Sequence, residues 1–297
     1  MNITLTGSLG NINRELIGRL TTKGHTVKVI SHSPERAKEI GAVNAIPLIG
    51  SVTDPDFVTS AFQGADAVYI MTPPNFSAPD LKGYIRATGK LYADAIDAAG
   101  VGKVIHLSSI GAHKPGGLGP TGANYYVEQI LNKLEGVDLL HLRPGLFYSN
   151  FYGSMPVIKY QGIIGNNFGA DTNVAMTDPG DIAAAIANEL NAPSVSGKSV
   201  KYVVSDLKNG AGIAATLGQA IGIPHLPWIE FPDEAFLPEL LKTGMSEEMA
   251  KVYIIEIGVA LRDDSLLEDY YRHRKDAVGR TSLEEFAKTF AKVYANN

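Results

Sequence analysis

The stretch Ile3-Thr4-Leu5-Thr6-Gly7-Ser8-Leu9-Gly10-Asn11-Ile12-Asn13 decides the fold. Its first four residues are apolar or β-branched and read as a strand. Arg14 to Lys23 reads as a helix, with Leu16, Ile17 and Leu20 on one face. The loop between them carries two glycines. At such a junction a Gly-rich turn lets backbone N–H groups approach a pyrophosphate at the positive end of a helix. Gly7 permits the tight turn and Gly10 permits close approach, with Ser8, Leu9, Asn11 and Ile12 completing the cradle. Asn13 stands where a third small residue usually lets helix and strand pack closely. A glycine pair alone fits any strand–helix turn. Its place after the first strand of a β-α-β-α-β run favours a dinucleotide site.

That run extends outward from the loop. Thr26 to Ser31 is a second strand, and Ser33-Pro34 predicts a helix start with Ser as cap and Pro as first helical residue. Ala45 to Ile49 is strand three, Asp54-Pro55 opens a helix to Phe62, and Ala67 to Met71 is strand four. A helix is predicted over Tyr84 to Ala99, a strand over Val104 to Leu107, a helix over Tyr125 to Leu134 and a strand over Asp138 to Leu142. Near-continuous apolar strands alternating with helices predict an α/β fold: a Rossmann-type doubly wound parallel sheet covered on both faces. After Pro144 the rhythm breaks, and residues 145–177 are rich in Gly, Asn, Phe and Tyr. Asp178-Pro179 opens a helix to Leu190, Val200 to Ser205 reads as a strand returning to the sheet, and the chain from 206 onward reads as mostly helical. Ser282 and Glu285 form a capping-box pattern before a last amphipathic helix. The expected division is a nucleotide-binding core over 1–150, rejoined by 178–205, and a smaller substrate-side lobe over 151–177 and 206–297.

Composition removes other classes. The 297 residues carry a net charge of −5 and no Cys. Thiolate nucleophiles, disulfides and Cys-ligated metals are excluded, and general nucleic-acid binding is disfavoured. No run approaches the ~18 apolar residues of a membrane span, and no signal-like segment is present, so the expected location is the cytoplasm. The seven His show no metal-ligand spacing, so no metal site is expected.

The end of strand two bears on the cofactor. NAD sites usually place an acid there, on the adenosine ribose. Here the chain reads Ser31-His32-Ser33-Pro34-Glu35-Arg36. Two hydroxyls, an imidazole and an arginine suit a 2′-phosphate, which favours NADP(H) over NAD(H).

These pieces together resemble the NmrA-like group of atypical short-chain dehydrogenases/reductases, which includes NADPH-dependent quinone and triphenylmethane-dye reductases and non-catalytic nucleotide sensors. The matching segments are Gly7-Ser8-Leu9-Gly10, Met71-Thr72-Pro73-Pro74, Leu107-Ser108-Ser109, Leu142-Arg143-Pro144-Gly145-Leu146-Phe147 with Asn150, Asp181-Ile182-Ala183, and Gly279-Arg280-Thr281 with Glu285-Phe286. They span nearly the whole chain in the family's order. The resemblance implies that Thr72, Pro73 and Pro74 lie along the cofactor. It implies that Ser108 and Ser109 end a strand near the nicotinamide, that the turn containing Pro144 closes that side, and that Phe147, Tyr148, Asn150 and Phe151 begin a substrate pocket. The chain departs from relatives at Asn13 and at Ser51-Val52, where relatives often carry Asp.

A larger departure concerns chemistry. Members of the wider superfamily that act on alcohols use a Tyr-x-x-x-Lys pair, in which Tyr supplies the proton. Anchored on the helix at Glu128, that pair falls near Pro120 and Asn124, and neither residue fits; Tyr125 and Tyr126 are followed four residues later by Gln129 and Ile130. A quinone becomes a stabilised phenolate on reduction, and a triarylmethane cation needs no proton, so both reactions survive without the pair. Asn124 and Tyr125 remain as candidates to bond a ribose or substrate oxygen. The expected function is NADPH-dependent hydride transfer to a quinone-like or dye-like aromatic acceptor. The alternatives are a non-catalytic NADP(H) sensor acting through a protein partner and, least favoured, a sugar-nucleotide epimerase or dehydratase.

Overall fold

The computed structural model describes residues 1–192 and 197–296. In chain order the strands are β1 (Asn2–Leu5), β2 (Thr26–Ser31), β3 (Ile46–Ile49), β4 (Ala67–Ile70), β5 (Lys103–Leu107), β6 (Asp138–Pro144), β7 (Leu146–Phe147), β8 (Ile164–Asn166), β9 (Asn173–Thr177), β10 (Lys198–Val203), β11 (Asp206–Asn209) and β12 (Trp228–Glu230). The helices are α1 (Asn13–Thr21), α2 (Arg36–Ala42), α3 (Pro55–Phe62), α4 (Leu81–Ala99), α5 (Gly119–Leu131), α6 (Met155–Gln161), α7 (Pro179–Asn191), α8 (Gly210–Ala220), α9 (Asp233–Lys242), α10 (Glu247–Ala250), α11 (Glu256–Leu261), α12 (Glu268–His273) and α13 (Leu283–Asn296). A π-helical turn, Lys251–Ile255, joins α10 to α11.

Seven strands form one sheet in the order β3-β2-β1-β4-β5-β6-β10, every neighbouring pair parallel. The order reverses between β1 and β4. In open α/β sheets the carboxyl ends of strands at such a reversal form a ligand crevice. The sheet is Rossmann-type, as the alternation of strands and helices predicts.

Both faces are buried, which accounts for the apolar strands. Ile3 and Leu5 pack with Leu16 and Ile17 of α1 and Ile182 and Ile186 of α7. Val68 and Ile70 pack with Phe62, Tyr92, Ile96 and Val127 on the other face. A further core, including Tyr148, Phe168, Ile213, Phe286 and Phe290, lies among the later elements. Two motifs distant in sequence meet there. Asp181 Oδ2 accepts from Ser205 Oγ (2.6 Å) and from the N–H groups of Arg280 and Thr281 (both 2.9 Å). Gly279 before them has φ +133°, and a Cβ there would lie 2.4 Å from the Val204 carbonyl oxygen.

Some element starts differ from expectation. The Ser33 hydroxyl donates to the Glu35 carboxylate instead of capping backbone, so α2 begins at Arg36. α4 begins at Leu81, because Asp80 caps it by accepting from Gly83 N–H at 2.8 Å. α5 begins at Gly119, six residues before the predicted start, with Pro120 in its first turn where the missing N–H costs nothing. The returning strand ends at Val203, and β11 and β12 interrupt the region read as helical. The capping box holds in both directions: Ser282 N–H donates to Glu285 Oε2 (3.0 Å) and Glu285 N–H to Ser282 Oγ (3.3 Å). Among the described residues no helix is long and apolar enough to cross a membrane.

Candidate cofactor and substrate site

The glycine loop is braced from three sides. Thr6 N–H donates to the Tyr69 carbonyl (3.0 Å), Thr6 Oγ1 to the Met71 carbonyl (2.9 Å), and Ser8 N–H to the Ile30 carbonyl (3.1 Å). Gly7 adopts φ +92°, and a Cβ there would sit 2.7 Å from Met71 Sδ, so this turn requires glycine. Asn13 explains the missing third glycine. Its buried Nδ2 donates to the carbonyls of Thr6 (2.7 Å) and Ser8 (2.8 Å), stitching the loop to the start of α1. Among the described residues, the N–H groups of Leu9, Gly10, Asn11 and Ile12 have no protein acceptor. Unpaired N–H groups at a helix N-terminus are what a pyrophosphate requires.

Beside this loop lies the end of β2. Ser31 is buried and its Oγ accepts from Ser8 Oγ at 3.0 Å, so it braces the loop. His32 and Arg36 are exposed, and Ser33 is partly so. Arg36 Nη1 lies 3.0 Å from Glu39 Oε2, which Arg14 approaches at 3.8 Å. Glu35, held by Ser33, has its carboxyl below the usual range, chiefly through that hydrogen bond. The acid of this region thus sits on the α2 side, not at the strand end.

A cavity of about 420 Å³ opens at the carboxyl ends of β4, β5 and β6. Thr72, Pro74, Ser108, Ser109, Pro144, Phe147, Asn150 and Asn124 all line it. Pro120 lines it too, so the two positions at which a Tyr-x-x-x-Lys pair would fall both face the cavity. Other expected residues lie outside its lining. Pro73 is not part of the wall, and Tyr125 stacks edge-on with Tyr126. Tyr148 is fully buried, stacked on Phe286, with its hydroxyl donating to the Thr281 carbonyl at 2.9 Å. Phe151 is likewise part of that core.

The opposite wall is absent from the residues that sequence reasoning selected. Met249, Tyr253, Ile257 and Leu261 line the cavity at intervals of four. In an α-helix of 3.6 residues per turn, such a row drifts by ~40° per step. The wider π-turn between α10 and α11 takes up that drift and keeps the row facing inward. The segment is anchored at two helix N-termini. Glu248 Oε1 accepts from Leu81 N–H of α4 (2.9 Å), and Glu256 Oε2 accepts from Gly119 N–H of α5 (2.6 Å) while pairing with Lys82 (2.5 Å). Asn167, fully buried, donates to the Ile255 carbonyl inside the π-turn at 2.9 Å. The four-residue repeat was the sequence signal for this wall.

Behind Ser108 lies a buried charged network. Its hydroxyl donates to Glu128 Oε1, which also accepts from Arg143 Nε. Arg143 Nη1 reaches Tyr202 Oη (3.1 Å) and Asp269 Oδ2 (3.0 Å). Burial opposes the Arg143 charge, but the hydrogen bonds and charge of Glu128 outweigh it and raise the guanidinium above its ordinary value. Burial raises the Tyr202 hydroxyl, and its donation to Asp269 raises it further.

The model of the NAD(P)H-binding family matches residues 7–193. The chain is 26% identical over 222 residues to a (4-alkanoyl-5-oxo-2,5-dihydrofuran-3-yl)methyl phosphate reductase of Streptomyces griseus, covering 75% of this chain and 74% of that one. It is 25% identical over 250 residues to an NAD(P)H azoreductase of Xenophilus azovorans, covering 84% and 83%. An NADPH-dependent quinone oxidoreductase of Escherichia coli, solved with NADPH, shares the fold at a TM-score of 0.81 and 21% identity, over 97% of this chain and 99% of that one. The braced glycine loop at the head of a parallel sheet and the family match over most of that sheet agree: the chain belongs to the NAD(P)H-binding family.

Proposed function

We propose that this protein is an NADPH-dependent reductase of quinone-like or dye-like aromatic acceptors. The observation that carries this reading is the chemistry of the cavity beside the glycine loop. No Asp, Glu, Lys, Arg or His lines it among the described residues; its walls are apolar and aromatic, with a few hydroxyls and amides. A phosphorylated or sugar-nucleotide substrate brings charge that must find cationic partners when buried. This cavity offers none, so its acceptor is neutral or carries delocalised charge. The Streptomyces relative is named for a phosphate-bearing substrate; the acceptor here belongs to a different class.

The residues fit a nicotinamide dinucleotide. The loop Gly7 to Ile12 holds the pyrophosphate, with the free N–H groups of Leu9 to Ile12 facing it, residues 31–36 flank the adenosine, and Thr72, Ser108, Ser109 and Pro144 border the nicotinamide. When bound, the cofactor supplies the hydride. The protein positions the acceptor against it and excludes water. Preference for NADPH rests on the absence of an acid at Ser31 and on Arg14 and Arg36, which a 2′-phosphate would draw from Glu39. A cavity in place of an open apolar patch favours catalysis over sensing, and the lack of any Lys among the described lining residues counts against the epimerase reading. The division of labour follows: 1–150 with 178–205 holds cofactor, and 151–177 with 206–297 shapes the substrate side.

The test is anaerobic NADPH oxidation with neutral quinones and their sulfonated analogues, NADH run in parallel and cofactor binding measured in the same samples. Oxidation by neutral quinones, faster with NADPH and poor with the sulfonated forms, is expected. Cofactor binding without any oxidation overturns the reductase reading in favour of a sensor.

A further inference from the structure

Reduction of a carbonyl acceptor places negative charge on oxygen, and a donor aimed at that oxygen lowers the barrier. The cavity's polar groups can be sorted by where their protons already point. The Ser108 hydroxyl donates to Glu128 Oε1, the Ser109 hydroxyl to the Ile110 carbonyl (3.0 Å) and the Thr121 hydroxyl to the Leu118 carbonyl (2.7 Å). Each therefore presents lone pairs to the cavity, not a proton. Thr72, Asn124, Asn150 and Tyr253 keep donors uncommitted to protein acceptors among the described residues. Asn150 is exposed at the mouth. Thr72 follows β4 on the side assigned to the cofactor.

Tyr253 differs from the rest. It is the one ionisable side chain in the lining among the described residues. It sits within the π-turn, between Met249 and Ile257, with its ring packed against the cluster of Ala78, Leu81 and Val252. A phenol, with an ordinary pKa of about 10, is a far stronger donor to an oxyanion than an alkyl hydroxyl or an amide.

We infer that Tyr253 is a catalytic residue that donates a hydrogen bond to the carbonyl oxygen of the acceptor, supplying from the C-terminal segment the tyrosine that α5 lacks at Pro120. The inference rests on the reductase reading. A C–H bond of the reduced nicotinamide breaks, and its hydride and electron pair pass to the acceptor. Negative charge collects on the acceptor oxygen, where the Tyr253 O–H holds it. A proton from solvent at the cavity mouth then gives the neutral product, the cofactor leaves oxidised, and Tyr253 keeps its own proton. Burial, with the neighbouring Tyr84 adding to it, pushes the Tyr253 hydroxyl above its ordinary value, which suits a donor that stays protonated.

The test compares the parent with Tyr253→Phe, which preserves the packed ring. Two acceptors are used: a neutral naphthoquinone, whose oxygen gains negative charge that a donor stabilises, and a triarylmethane cation, which accepts hydride at carbon and develops no oxyanion. A second readout is equilibrium binding of the naphthoquinone to protein loaded with oxidised cofactor. The expected result is a loss of roughly tenfold or more in kcat for the quinone, a change below about twofold for the cation, and quinone binding weakened by about fivefold. An equal loss with both acceptors makes Tyr253 a wall only and overturns the inference, as does no loss with either. If the parent reduces neither acceptor, the reductase reading fails by itself. The binding readout then decides Tyr253 separately, and equal quinone affinity in parent and variant overturns it.

Discussion

Arg143 and Glu128 form a buried two-armed ion pair, with Nη2 2.6 Å from Oε2 and Nε 3.0 Å from Oε1. Their side chains are 8% and 3% exposed, so water does little to screen them. The pair joins the end of β6 to α5, and its outer contacts reach Ser108 in the cavity and Asp269 on α12. Removing Arg143 leaves the buried Glu128 carboxylate uncompensated, whereas removing Glu128 leaves Arg143 paired with Asp269 alone. Arg143→Met is expected to destabilise the fold by about 3–5 kcal/mol and Glu128→Leu by less, while the double variant loses clearly less than the sum. Denaturant midpoints of the four proteins measure this. Additive losses would show that the pair is not energetically coupled.

Asn13 gives the opposite of the expectation its position invites. Because it stands where relatives often carry glycine, Asn13→Gly would be expected to improve the loop. The two hydrogen bonds from its Nδ2 to the Thr6 and Ser8 carbonyls argue otherwise. The variant frees both carbonyls and adds a glycine to the first turn of α1, at a cost of about 1–3 kcal/mol. The free N–H groups also lose their alignment, so cofactor affinity is expected to fall by roughly tenfold. Calorimetric titration with NADPH and a thermal melt measure both effects. Unchanged or tighter binding would remove Asn13 from the cradle.

The elements that sequence reasoning located carry their signals locally. Asp54 does cap α3, accepting from Asp56 and Phe57 N–H at 3.1 Å, and Asp178 caps α7, accepting from Gly180 N–H at 2.7 Å. The glycine loop is legible for the same reason: its constraint is written in consecutive residues. The start of α5 is not, since Gly119-Pro120 reads as a break unless the proline is known to sit in the first turn, where no N–H is needed. The Arg143–Glu128–Asp269 network joins three separate elements, and no spacing announces it. The wall of Met249, Tyr253, Ile257 and Leu261 stayed hidden because a strict four-residue row fits neither a regular helix nor a strand. A π-turn makes it one face, and Asn167, more than 80 residues away, donates to the Ile255 carbonyl within that turn.

A pH effect follows from a second buried pair. His106 on β5 and His141 on β6 are directly paired in register, with their Nδ1 atoms 3.0 Å apart. His141 Nε2 faces Asn132 Oδ1 at 3.2 Å. With Nε2–H directed there, His141 Nδ1 accepts from His106 Nδ1–H, an arrangement that needs His141 neutral. Burial lowers both rings, His141 to about 4, and the charge of His141 lowers His106 further. In the unfolded chain both titrate near 6.5. Above that value neither state is charged, and the pair contributes its full stability. As the pH falls from 6.5 towards about 4, the unfolded chain takes up protons that the fold refuses. Stability then drops by about 1.4 kcal/mol per pH unit for each histidine, with His106 continuing lower. Urea unfolding is therefore expected to show a loss of about 2 kcal/mol per histidine between pH 7.5 and pH 5. The double variant His106→Leu, His141→Leu removes both protons from the balance and is expected to flatten most of that slope. His113, which burial also lowers, accounts for a remainder. An equal slope in parent and double variant would assign the acid sensitivity to groups outside this pair.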